Sequence, residues 1–186
     1  MLIPHESAML FIEGYKKVLF RILADAGLLK TKSTQRDLVT ARTYASQNPG
    51  LIGKTIDALR TLDEPLASSV AGAVRNIQIR RWIYLRQTKR HAVFLDTETE
   101  SAFEVRALTD PLNVLAHDPP MFVETGVFAY EGMVVCDGLL LTPILIGRGY
   151  QDTFNADYTR LRKAGHLYKT ATQFNHLFML DSPDNA

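Results

Sequence analysis

Through the first eighty residues, apolar side chains recur at helical intervals; beyond them the interval becomes that of extended chain. From Ala8, the residues Ile12, Tyr15, Leu19, Ile22 and Ala26 follow at alternating steps of four and three, which puts them on one helix face, and Gly27 supplies a stop. The same face resembles a coiled-coil seam, but it lasts only about three heptads, so the spacing points to intramolecular core. Ser33 and Thr34 are capping residues for a second helix, with Asp37 in a capping-box-like position and Leu38, Ala41 and Ala45 on one side. Asn48-Pro49-Gly50 breaks it. A third helix carries Ile52, Ile56 and Leu59. Asp63 is placed to cap a fourth, with Pro65 in its first turn and Leu66, Val70, Ala73, Val74 and Ile77 facing inward.

From Arg81 to Leu85 the β-formers Trp82, Ile83 and Tyr84 predict a strand. His91 to Asp96 and Phe103 to Leu108 are the next two, joined by polar turns into a meander. Asp110-Pro111 opens a short helix through Leu115, and His117-Asp118-Pro119-Pro120 closes it, because a residue before proline is driven toward extended geometry. Phe122 to Tyr130 and Met133 to Val135 read as a hairpin turning at Glu131-Gly132. Leu139 to Ile146 is a further extended run, with Asp137-Gly138 as a hairpin turn before it. Asn155 or Asp157 caps a last helix carrying Tyr158 and Leu161 and stopping at Gly165. The order predicts an α+β protein: about four N-terminal helices packed on a C-terminal antiparallel sheet of five to six strands, with one late helix. A single unit over 1–186 is expected, helical over 1–79 and mainly β over 80–186.

Composition narrows the class without naming a function. Apolar residues at 46% and charged residues at 22% are ordinary for a globular protein and argue against disorder, fibres and membrane proteins. A net charge of +1 leaves attraction to nucleic acid to a local patch. The single cysteine, Cys136, excludes an intramolecular disulfide and fits a reducing compartment. The apolar run Met9 to Ile12 is too short for a signal peptide, and no uncharged stretch approaches the roughly 20 residues of a spanning helix, so a cytoplasmic protein without membrane contact is expected.

The most suggestive chemistry lies between Arg75 and His91, where Arg75, Arg80, Arg81, Arg86, Lys89 and Arg90 occur without an acidic residue. Alternation along an extended chain puts Arg80, Trp82, Tyr84 and Arg86 on one face, where cations meet phosphates and rings stack on bases. The competing reading pairs these cations across the sheet with the acidic run Asp96, Glu98, Glu100 and Glu104. The helices around Asn48-Pro49-Gly50 followed by a hairpin have the order of a winged helix-turn-helix, but the segment Leu51 to Arg60 offers only Lys54 and Arg60 as cations, and a fourth helix intervenes.

Gly147-Arg148-Gly149 follows an apolar strand and precedes a helix, as an anion-holding turn does; the third glycine of a dinucleotide fingerprint is replaced by Asp152. The five histidines are widely separated, with no HExxH or HxH spacing, so no metal site is expected. Cys136 stands beside Asp137, whose charge disfavours a thiolate, and its flanks MVVCDG predict a buried thiol. No catalytic motif is recognisable and no cofactor is expected.

Two functional readings follow. In the first, the protein is a non-catalytic binding or regulatory module, engaging a protein partner or contacting nucleic acid through Arg80, Trp82, Tyr84, Arg86, Lys89 and Arg90. In the second, it is a small enzyme acting on an anionic metabolite, with Gly147, Arg148 and Gly149 as the anion site and Asp137 or His117 as acid or base. Self-association is left open.

Overall fold

A computed structural model describes residues 2–29, 35–116 and 119–180. Four helices come first: α1 (His5–Asp25), α2 (Gln35–Ser46), α3 (Leu51–Thr61) and α4 (Ser68–Arg75). They are followed by β1 (Gln78–Gln87), β2 (Ala92–Asp96), β3 (Ser101–Arg106), the one-turn helix α5 (Leu112–Leu115), β4 (Met121–Tyr130), β5 (Met133–Cys136) and β6 (Leu141–Leu145). Helix α6 (Arg148–Lys163), β7 (Leu167–Tyr168) and α7 (Ala171–Leu180) complete the described chain. No described helix is long and apolar enough to cross a membrane.

The class is α+β, but the sheet differs from the expected open antiparallel one. Strand order is β1-β2-β3-β5-β4, and β4 pairs in turn with β1 from Met121↔Tyr84 to Val127↔Gln78, so five strands close into a barrel. Two pairings are parallel, β3 with β5 and β3 with β7. Closure leaves the five-strand wall without a free edge and gives every strand an inside and an outside. The helices are also distributed differently: α6 and α7 both follow the barrel strands, where one late helix was expected.

Alternation sorts the side chains. Trp82 and Tyr84 of β1, Phe94 of β2, Phe103 and Val105 of β3, Met121, Val123 and Val127 of β4, and Val134 and Cys136 of β5 fill the interior. Phe174, Leu177 and Phe178 of α7 join this cluster; the Phe174 ring lies 5.6 Å from Phe103 and 4.6 Å from Phe178. Ile83 and Leu85 of β1, with Val93, Leu95 and Ala102, face outward beneath Leu161, Phe154 and Tyr158 of α6. On the other side of the wall, Phe128, Tyr130 and Val135 face outward beneath the N-terminal helices, and Phe11 of α1 stacks on Phe128 with centroids 4.2 Å apart. The helical first half and the barrel therefore share one hydrophobic cluster.

Local readings hold with shifts. Helix α1 buries Ala8, Phe11, Tyr15, Val18, Leu19, Ile22 and Leu23, so its inward stripe is turned from the expected one: Ile12 is half-buried and Ala26 lies just past the helix end. Helix α4 begins at Ser68, after both Asp63 and Pro65. Asp63 caps nothing there, because it takes a left-handed conformation (φ 57°) in the turn that ends α3. Glu131 and Gly132, at φ 49° and 75°, make the tight turn between β4 and β5 that the sequence indicates. Ser33 and Thr34 lie outside the described residues. The β1–β2 pair is barrel wall, so the helix order of α2 and α3 is not followed by a wing.

Because Phe174 is fully buried among the barrel's interior side chains, Phe174→Ala should cost about 3–5 kcal/mol, read as a lowered urea midpoint at unchanged m-value. A loss no larger than that of a surface substitution would show that α7 does not close the interior.

Candidate functional site

Strands β5 and β6 do not form a hairpin with each other; both run antiparallel to β4 on the same edge, end to end. Cys136 opposes Val127 and Leu141 opposes Glu124, so residues 137–140 stand against only Thr125 and Gly126. Such an excess bulges the chain and leaves ladder groups without partners. Asp137 sits at the start of the bulge. Its backbone amide still reaches Gly126 O at 2.9 Å, and its side chain turns outward toward the helical layer.

Arg42 of α2 meets it there. The guanidinium Nη1 lies 3.1 Å from Asp137 Oδ2 and 3.2 Å from Oδ1, with neither side chain exposed. The same Nη1 donates to the Leu139 carbonyl, and Nη2 donates to the Glu124 carbonyl at 3.3 Å. Both carbonyls flank the bulge, so Arg42 ties α2 to it through backbone acceptors as well as through the carboxylate. Asp137 Oδ1 also accepts from the Thr125 hydroxyl at 2.8 Å and from the Leu139 amide at 2.9 Å. A buried charge persists only with this density of partners. Gly126 makes the approach feasible, since a Cβ there would lie 2.6 Å from Asp137 Oδ2 and 2.5 Å from Ile77 Cδ1.

The electrostatics follow from burial and this pair. Desolvation pulls the Arg42 pKa down, yet the adjacent carboxylate holds it above its ordinary value. Burial and the Asp137 charge push the Tyr15 phenol well above the usual range. Burial first, and the Asp137 charge second, push the Cys136 thiol up to about 12, against weaker help for the thiolate from the Thr125 hydroxyl 3.2 Å away. The thiol is buried, as expected, and desolvation is the main cause of its raised pKa.

Above this cluster a cleft of about 550 Å³ opens between α1 and the Leu108–Leu115 and Asp137–Leu139 segments. Phe11, Tyr15, Leu19, Leu38 and Leu108 form its buried floor; Ile12, Phe20 and Leu139 are half-buried on its walls. Lys16, Thr109, Asp110 and Leu115 stand exposed around it.

The sequence-derived sites are placed differently. Trp82 and Tyr84 are fully buried inside the barrel, so they offer no ring to a base; closure turned that face inward, and an irregularity between Tyr84 and Arg86 breaks the expected alternation, so Arg86 lies on the α6 side instead. Trp82 Nε1 donates to the Thr125 carbonyl at 3.0 Å, and the Tyr84 hydroxyl to Gln87 at 2.8 Å. Arg80 bonds Asp96 at 3.2 Å and Glu98 at 3.3 Å, in agreement with pairing across the sheet. Arg86 donates to Asn155 of α6 at 3.1 Å and lies over the Tyr158 ring at 4.5 Å. Lys89 and Arg90 are exposed in the β1–β2 turn.

Gly147 and Gly149 do not form a free turn. Gly147 is the N-cap of α6 and Gly149 lies within the helix. The Arg148 side chain and His117 lie outside the described residues. No group of three or more His, Cys, Asp or Glu side chains among the described residues is placed to hold a metal ion. Sequence reasoning missed Arg42 and the cleft. Arg42 had a signal: it shares the inward face of Leu38, Ala41 and Ala45, a position where a cation requires a buried partner. Neither family models, nor curated proteins, nor solved structures give a match to this chain.

Asp137→Ala leaves the Arg42 charge buried and unpaired, and should cost about 3–5 kcal/mol in urea unfolding. Adding Arg42→Met should recover part of that loss, giving a coupling of at least about 1 kcal/mol in the double-mutant cycle; additive losses would show that the pair is not a unit. With its thiol near 12, Cys136 should react with iodoacetamide at pH 8 at least about a hundredfold more slowly in the folded protein than in urea.

Proposed function

We propose that this protein is a non-catalytic binding module that holds a small, largely apolar molecule in the cleft between α1 and the Leu108–Leu115 segment. The observation that carries the reading is the cleft itself. Its volume of about 550 Å³ is that of a small-molecule site, and its floor is preformed by aromatic and aliphatic side chains fixed in the shared core. A ligand entering it displaces water from apolar surface and requires little reordering of the protein, which favours binding.

The chemistry beneath the floor supports binding over catalysis. Asp137 is paired with Arg42 and its Oδ1 is engaged by Thr125 and Leu139, so its oxygens are committed to structural partners within the protein. Cys136, with its thiol near 12, is a poor nucleophile.

An uncharged fluorophore, N-phenyl-1-naphthylamine, tests the reading. It should bind with saturable one-to-one stoichiometry, and Ile12→Trp, which fills the half-buried wall, should weaken it at least about tenfold. Leu62→Trp, at an exposed site away from the cleft, should leave affinity unchanged. Absence of saturable binding, or equal affinity in the Ile12 variant, would overturn the assignment.

A further inference from the structure

Two of the segments that line the cleft each carry an exposed charge, and the two are of opposite sign. Lys16 belongs to α1, and Asp110 belongs to the segment between β3 and α5; both are exposed lining residues. Elsewhere on α1 the cations are matched within the fold, Lys17 by Glu64 at 2.8 Å and Arg21 by Asp25 at 2.9 Å. Among the described residues no carboxylate lies within ion-pair distance of Lys16 and no cation within that of Asp110. Asp110 Oδ2 accepts a hydrogen bond from the neighbouring Thr109 hydroxyl at 2.9 Å, which leaves its charge uncompensated. The floor adds no exposed charge of its own, because the Asp137 carboxylate is wholly buried and matched by Arg42.

A ligand therefore meets half-buried apolar walls with a cation on α1 and an anion on the Leu108–Leu115 segment that have no ion-pair partner among the described residues. A purely anionic ligand gains at Lys16 but is repelled by Asp110; a purely cationic one has the reverse problem. Only a molecule with a charge of each sign and an apolar body gains from both segments and from the apolar lining.

Resting on the reading of the cleft as a binding site, we propose that its ligand is a small zwitterion with a bulky apolar side chain, of the class of apolar α-amino acids. The carboxylate lies toward Lys16, the ammonium toward Asp110, and the side chain against the half-buried Ile12, Phe20 and Leu139, which Phe11, Tyr15 and Leu19 back from beneath. Exposed charges contribute modestly, so the floor supplies most of the affinity and the two charges select among molecules of similar shape.

Four indole probes separate these contributions in calorimetric titrations of the full chain at low salt: L-tryptophan, tryptamine, indole-3-propionate and indole. Tryptophan should bind about three- to tenfold more tightly than either singly charged probe. Lys16→Ala should abolish its advantage over tryptamine, and Asp110→Asn its advantage over indole-3-propionate, with indole unaffected by either substitution. Raising the salt to about 0.5 M should shrink the preference and leave indole binding in place. Equal binding of all four, tighter binding of a singly charged probe, or an undiminished preference in both variants would overturn the zwitterion assignment while leaving the cleft as a binding site. Failure of every probe, indole included, together with failure of the naphthylamine titration, would overturn both.

Discussion

A guanidinium inside a protein core persists only where a counter-charge and acceptor oxygens replace the water it has lost, and Arg42 has both. The carboxylate comes from Asp137; two further acceptors, the carbonyls of Glu124 and Leu139, flank the bulge that separates β5 from β6. One side chain of α2 thus joins a helix to β4 and to the segment that links β5 to β6. Arg42 gives donors to two carbonyls at the bulge, while the Asp137 and Leu139 amides are satisfied by the Gly126 carbonyl and the Asp137 carboxylate. Gly126 sits at the same place, where a side chain would collide with the Asp137 carboxylate.

The rest of the architecture is organised around a wall buried on both faces. Strand β1 shows this most clearly: Trp82 and Tyr84 fill the interior, whereas Ile83 and Leu85 lie under α6. Helices α1 to α4 cover the outer face near β4 and β5, α6 covers the outer face of β1 to β3, and α7 sends Phe174 into the interior cluster. The cleft lies along α1 just above the Arg42–Asp137 pair, so the interaction that completes the wall also underlies the proposed site.

Local elements were legible in the sequence to the extent that they depend on local period. The helical stripe through Tyr15, Leu19 and Ile22, the alternation through Trp82 and Tyr84, and the turn at Glu131-Gly132 are set by side-chain spacing and backbone sterics within a few residues. Late helix α7 escaped, although Phe174 and Phe178 stand one helical turn apart, because its apolar residues serve a barrel interior that an open sheet would not have. The basic and acidic runs were read correctly as a pair at Arg80, Asp96 and Glu98. The alternative use of the Arg80, Trp82, Tyr84 and Arg86 face required its rings to be exposed, and barrel closure buries them.

By itself, then, the sequence determined the α+β class, the positions of the four leading helices and most strands, and the burial of Cys136, because periodicity, turn chemistry and apolar flanks act locally. Tertiary structure alone decided which face of β1 looks inward, that β5 and β6 share one edge of β4, and that Arg42 and Asp137, ninety-five residues apart, neutralise each other. It also decided that Lys16 and Asp110 face one cleft. The physical reason is the same throughout. Strand pairing and ion pairing between distant segments depend on which surfaces closure brings together, and no local spacing carries that information.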